Sequence, residues 1–194
     1  MVIAWLTLIF SGVGTLFYYN EWIYLQPTPI PPNHKPISLG KTVKLGGHLN
    51  NKPGRPIFLH FFNPDCPCSR FNIGQFSGLV AKFGGRMLFV VIVQPQKAYT
   101  ASEITRKFNI TVPVIFDSKI AAACGVYSTP QAVIINEKDQ LYYRGNYNIS
   151  RYCTDEKTSY AKIAIERLLN VNRLTELNPL AVKAYGCSLP DCSQ

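Results

Sequence analysis

One stretch constrains this chain more than any other: Phe58-Leu59-His60-Phe61-Phe62-Asn63-Pro64-Asp65-Cys66-Pro67-Cys68-Ser69-Arg70. An apolar, strand-like run ends in a turn, and two cysteines follow where a helix begins. Proline is favoured at the first helical position, so Cys66 reads as the N-cap and Cys68 as a shielded residue of the first turn. A thiol at the N-cap faces N–H groups that favour negative charge. Open α/β sheets tend to place chemistry at this carboxyl edge.

The periodicity that follows alternates between strands and helices. Pro56 to Phe62 and Met87 to Val93 read as buried strands of the parallel type. Ser69 to Phe83 between them reads as a helix. Thr100-Ala101-Ser102-Glu103 is a capping-box pattern that opens a helix to Phe108. A strand over Val112–Phe116 and a short helix over Lys119–Cys124, stopped by Gly125, come next. Ala132–Ile135 and Leu141–Arg144 read as an antiparallel hairpin. Thr154 is the expected cap of a last helix to Leu169. The order β-α-β-α-β-α-β-β-α predicts an α/β domain with a mixed sheet flanked by helices.

The ends of the chain have different compositions. Met1 to Tyr19 has no charged side chain, and Glu21 is the first one. A run of that length spans a hydrocarbon layer of roughly 30 Å. Trp22, Tyr24, Tyr18 and Tyr19 suit the interface. No basic residue precedes the run, and no small-residue cleavage pattern follows it, so residues 1–25 read as an uncleaved transmembrane anchor. Residues 26–36 hold five prolines and read as a semi-rigid spacer. The globular domain is expected over residues 37–170, followed by a cysteine-containing tail over 171–194. Lys35, Lys41 and Lys44 after the anchor weakly favour a cytoplasmic domain. The cysteines point the other way.

Six cysteines beside an export-like segment suit an oxidising, extracytoplasmic compartment. Six cysteines also allow 15 pairings, so spacing alone does not assign partners. Cys124 reads as a small buried hydrophobe. Cys153 is a candidate partner for Cys187 or Cys192, and the last two are spaced to pair with each other. These three are expected to be structural or to form a second dithiol. The net charge is +9, but the basic residues are scattered. Without a Lys/Arg run, nucleic-acid binding is not expected. There is no Gly-rich phosphate loop, Ser/His/Asp order or paired-carboxylate pattern, so no organic cofactor is implied.

Two runs together carry a family resemblance: Phe61-Phe62-Asn63-Pro64-Asp65-Cys66-Pro67-Cys68, and Gly125-Val126-Tyr127-Ser128-Thr129-Pro130-Gln131-Ala132-Val133-Ile134-Ile135. Over residues 37–170 the chain resembles a membrane-tethered thioredoxin-fold protein of the TlpA/redoxin type. The resemblance implies a thiol–disulfide oxidoreductase acting on protein thiols or disulfides. It also implies that Thr129-Pro130 is a cis-proline element that faces the cysteines and shapes the site for a partner's backbone. The family's usual motif is Cys-x-x-Cys. Here it is Cys-x-Cys, and Ser69 falls where a second cysteine would follow Cys66.

Position along the predicted helix makes Cys66 the attacking thiolate and Cys68 the resolving thiol. Asp65 opposes the thiolate, and Arg70 offsets that. A Cys66–Cys68 bridge would close a small, strained ring and be easily reduced. Two other readings stay open. A Cys-x-Cys pair suits Cu(I), although none of His34, His48 and His60 shows metal-ligand spacing with it, so no metal site is assigned. A redox-silent binding module on the same fold is the other.

Overall fold

The computed structural model describes residues 1–46, 49, 54–94, 97–150, 152–169 and 178–189. His48 and Cys192 therefore lie outside the described residues.

Helix α1 (Val2–Phe17) continues through a π-helical turn (Tyr18–Trp22) into a short α2 (Ile23–Leu25). Residues Val2–Trp22 are long and apolar enough to cross a membrane, and none of this span is buried against the domain. Beyond it lie β1 (Ile57–Phe62), α3 (Pro67–Phe83), β2 (Leu88–Val93), α4 (Ala101–Phe108), β3 (Val114–Ile115) and α5 (Ser118–Cys124). They are followed by β4 (Ser128–Thr129), β5 (Gln131–Ile135), β6 (Leu141–Gly145), α6 (Tyr160–Leu168) and β7 (Cys187–Ser188).

The main sheet has the order β3-β2-β1-β5-β6. Strands β1, β2 and β3 run parallel, β5 lies antiparallel to β1, and β6 is antiparallel to β5. Central β1 is buried at all six positions, because both faces of the sheet are covered. Phe58 and Phe62 point into one core with Phe76, Leu79, Phe83, Ala161, Ala164 and Ile165. Ile57, Leu59 and Phe61 alternate into the other with Ile120, Ala121 and Cys124. The fold is thioredoxin-like, as the sequence leads one to expect.

Local signals account for most boundaries. Pro67 is the first residue of α3 and Cys66 its N-cap. The capping box is present: the Glu103 N–H donates to Thr100 Oγ1 at 3.2 Å, and the Thr100 N–H donates to Glu103 Oε2 at 2.7 Å. Gly125 ends α5 with a left-handed φ of 66°. The last helix departs from expectation. Asp155, not Thr154, caps a 3-10 turn (Glu156–Thr158), and α6 begins only at Tyr160. Here Thr158 Oγ1 donates to Asn148 Oδ1 at 2.7 Å, tying the turn to the loop after β6.

The proline-rich segment is not a free spacer. Thr28 is 4% exposed and its N–H donates to the Ala184 carbonyl at 3.0 Å, while Pro27 bridges to Tyr185. The described part of the tail, residues 178–189, packs onto the domain as well. Asn146 Nδ2 donates to the carbonyls of Leu180 (3.0 Å) and Lys183 (2.7 Å). Gly145 permits that approach: a Cβ there would run into the Ala181 carbonyl.

Candidate active site

Strand β1 delivers the chain to a turn at the carboxyl edge of the sheet. Asn63 organises this turn. Its Oδ1 accepts from the Asp65 N–H at 2.9 Å, and its own N–H donates to Ser69 Oγ at 3.3 Å. Ser69 is fully buried. The hydroxyl that stands where the family has a second cysteine thus holds the turn in place. The Tyr99 hydroxyl donates to Asp65 Oδ1 at 2.8 Å, and this bond pushes the Tyr99 phenol up from its ordinary value. The carboxylate expected to oppose the Cys66 thiolate thus accepts a hydrogen bond from Tyr99.

Cys66 is 2% exposed, and its Sγ lies 3.7 Å from the Thr129 carbonyl oxygen. The Thr129–Pro130 peptide is cis, and the loop carrying it faces Cys66 across the carboxyl edge. Cys66, Thr129 and Pro130 therefore lie at one edge of the sheet.

The disulfide differs from every expected pairing. Cys66 is bonded to Cys187 in the tail, 121 residues away, with 6.1 Å between the Cα atoms. A Cys66–Cys68 ring is absent, so the strain argued for that ring does not apply to the bridge present. The physical reason is strand pairing. Strand β7 lies antiparallel to β4, with Thr129 opposite Cys187 and Ser128 opposite Ser188. That register sets Cys187 beside the loop that faces Cys66. Cys68 is fully buried in the first turn of α3, where its carbonyl accepts from Asn72 Nδ2 at 3.2 Å.

The expected Cys153–Cys187 pair does not form, because Cys187 is bonded to Cys66; burial pushes the Cys153 thiol up to about 12. Cys124 is a core residue as expected, and burial pushes it up to about 12 against the pull of Arg144. His60 is also core. Its ring stacks on Phe76 (4.5 Å between centroids), its Nδ1 hydrogen-bonds the Tyr147 hydroxyl at 2.7 Å, and burial pulls it down to about 3. Among the described residues no group of three His, Cys, Asp or Glu side chains could hold a metal ion.

Residues that the sequence reading missed are Cys187 as the partner of Cys66, Gly186 before it, and the Asn63–Ser69 pair. Gly186 is the one local signal, because a glycine in an extended segment often marks a close backbone approach, and it does not name Cys66 as the partner of Cys187.

Fold and site together define a thioredoxin-like domain with a disulfide at its first strand-to-helix turn. The chain belongs to the family described as a domain of unknown function, DUF6436, which matches residues 39–190. No curated protein matches the sequence. A hypothetical protein from Sinorhizobium meliloti 1021 shares the fold with a TM-score of 0.64 at 16% identity, over 80% of this chain and 95% of its own. An uncharacterized conserved protein from Geobacillus kaustophilus has a TM-score of 0.60 at 17% identity, over 83% and 91%. The thioredoxin domain of a thiol-disulfide oxidoreductase from Bacteroides vulgatus has a TM-score of 0.50 at 11% identity, over 64% and 99%.

Proposed function

We propose that this protein is a membrane-anchored, extracytoplasmic thiol–disulfide oxidoreductase acting on protein thiols and disulfides. The observation that carries the reading is the Cys66–Cys187 disulfide, set at the N-cap of α3 and against the Thr129–Pro130 loop. That is where a thiolate is most stabilised by helix N–H groups. A stable disulfide also suits an oxidising compartment, and Val2–Trp22 supplies the anchor.

In the dithiol form, the Cys66 thiolate attacks one sulfur of a partner disulfide. A Cys66–partner bond forms, the partner's S–S bond breaks, and the departing partner thiolate takes up a proton. Cys187 then attacks the Cys66 sulfur, the Cys66–Cys187 bond forms, and the second partner thiol leaves. Two electrons pass to the partner. The reverse sequence oxidises a partner dithiol. Cys187 is the resolving residue in this scheme. Cys68, the resolving residue by its position in the motif, is the second candidate. Thr129 and Pro130 shape the surface that receives the partner.

Reduction of insulin and recovery of a scrambled disulfide protein test this, using the full chain in detergent. Cys66→Ser is expected to abolish both activities. Cys187→Ser is expected to accumulate mixed disulfides on Cys66, and Cys68→Ser to leave turnover largely intact. Full activity in Cys66→Ser would refute the proposal. Accumulation in Cys68→Ser instead would move the resolving role to Cys68.

A further inference from the structure

The tail does more than supply a sulfur. Tyr185–Leu189 is extended and lies along the edge of β4, where Leu189 N–H donates to the Tyr127 carbonyl at 3.1 Å and extends the β4–β7 pairing. On its other side, Thr28 Oγ1 donates to the Gly186 carbonyl at 3.3 Å. With the segment in place Cys66 is 2% exposed, so a partner's sulfur meets it only when the segment shifts. Its side chains also meet requirements that are not needed merely to close a disulfide. Gly186 has φ 119° and packs directly against the Thr129 carbonyl and Pro130, so a Cβ at this position would collide with the Thr129 backbone. Leu189 is 1% exposed. It packs in the core cluster of Ala121 and Val126 and forms one wall of a cleft of about 360 Å³ that those two residues also line.

We infer that Tyr185–Leu189 is an internal stand-in for the protein partner, and that its pattern reports the site's preference. The preferred partner is an extended segment whose cysteine is preceded by glycine and followed two residues later by a large apolar residue. This rests on the oxidoreductase reading and specifies its substrate class. The partner segment takes the place of β7 along Ser128–Thr129. Its glycine lies under the Thr129 carbonyl, and its apolar side chain fills the Leu189 position beside Ala121 and Val126. Tail and partner compete for one edge, so capture of a partner disulfide follows attack by an external dithiol on the half-buried Cys187 sulfur, which releases Cys66 as the thiolate. The Cys66 thiolate then attacks the partner's disulfide, forming the mixed disulfide and releasing the partner's other sulfur as a thiolate.

The test uses full-length Cys187→Ser, reduced and in detergent. Its probes are three synthetic peptides, each with its cysteine activated as a pyridyl disulfide. One carries the tail sequence Ala-Tyr-Gly-Cys-Ser-Leu; the others replace its glycine by valine or its leucine by aspartate. Attack by Cys66 on the peptide sulfur releases pyridine-2-thiolate, which is followed by absorbance. The tail sequence is expected to react about tenfold or more faster than the valine peptide, in line with the usual cost of an overpacked contact. Against the aspartate peptide the advantage is expected to be roughly ten- to a hundredfold, the value of burying one leucine. Adding Leu189→Asp to the protein, or Gly186→Val as a second variant, is expected to loosen the tail and speed capture of the tail peptide. Equal rates for the three peptides overturn the inference while leaving the oxidoreductase reading standing. Failure of Cys66 to react with dipyridyl disulfide itself would end that reading, and the inference with it.

Discussion

Reducing the Cys66–Cys187 bridge is expected to cost the fold a large and calculable part of its stability. The cysteines are 121 residues apart. In the chain-entropy treatment a loop of that length restricts the unfolded chain by about 5 kcal/mol at 25 °C. A Cys66–Cys68 ring would contribute under about 2 kcal/mol by the same treatment. Because the tail is also docked through Asn146, Thr28 and Leu189, the reduced protein keeps its noncovalent contacts. The loss should therefore follow the loop term. With a urea slope of about 2 kcal/mol per molar for a domain of this size, the midpoint should fall by roughly 2.5 M. Urea unfolding followed by circular dichroism, with and without dithiothreitol, measures it. Cys66→Ser and Cys187→Ser should both match the reduced protein, whereas Cys68→Ser should retain the full dependence on reductant. A midpoint indifferent to reductant, or a dependence lost in Cys68→Ser and kept in Cys187→Ser, would refute the reasoning.

Three further outcomes are expected. His60 is held neutral in the core with its pKa lowered to about 3, against an ordinary value of 6.5. Below about pH 6.5 the unfolded chain binds this proton and the folded one does not, so stability falls as pH drops and levels off only near pH 3. Near pH 5 the loss attributable to His60 is about 2 kcal/mol, and denaturation midpoints across pH 4 to 7 in wild type and His60→Gln, the latter flatter, would show it. Gly145→Ala should push the Ala181 segment off the domain, costing on the order of 1–3 kcal/mol; faster tryptic cleavage after exposed Lys183 would report this, and an unchanged cleavage rate would count against it. Arg144 Nη1 donates to the carbonyls of Ile37 (2.9 Å) and Cys124 (3.0 Å), joining the start of the domain to the end of α5. Arg144→Gln should cost about 2 kcal/mol and lower the melting temperature by several degrees, as scanning calorimetry would record.

What the sequence made legible was whatever it encodes locally. The strands repeat every two residues, Pro67 opens α3, Thr100 and Glu103 cap α4, and Gly125 stops α5. Each depends on neighbours a few positions away. The order of elements followed from these, and with it the meeting of Cys66 and Pro130 at one edge. The bridge was not legible because strand pairing between residues 128–129 and 187–188 decides it. Nothing in the spacing of six cysteines distinguishes that register from the other possibilities. The start of α6 was misread for a related reason. Thr154 has the right chemistry for a cap, but Asn148 captures Thr158 from across the loop and the chain turns once more before the helix begins. Ser69 illustrates a third kind of loss: a residue in the position of an absent cysteine looks like a deletion until Asn63 is seen donating to it.

The bridge between Pro27 and Tyr185 bears on where this protein can work. Only Gln26 and Pro27 separate Leu25, the end of the apolar helix, from Thr28, which is hydrogen-bonded to the tail beside the disulfide. A chain of that length spans at most about 11 Å. For a protein anchored by that helix, the redox centre is therefore not carried on a stalk that sweeps the surrounding volume. On the proposed reading it would sit close to the lipid headgroups, and partner cysteines would have to meet it at that same height.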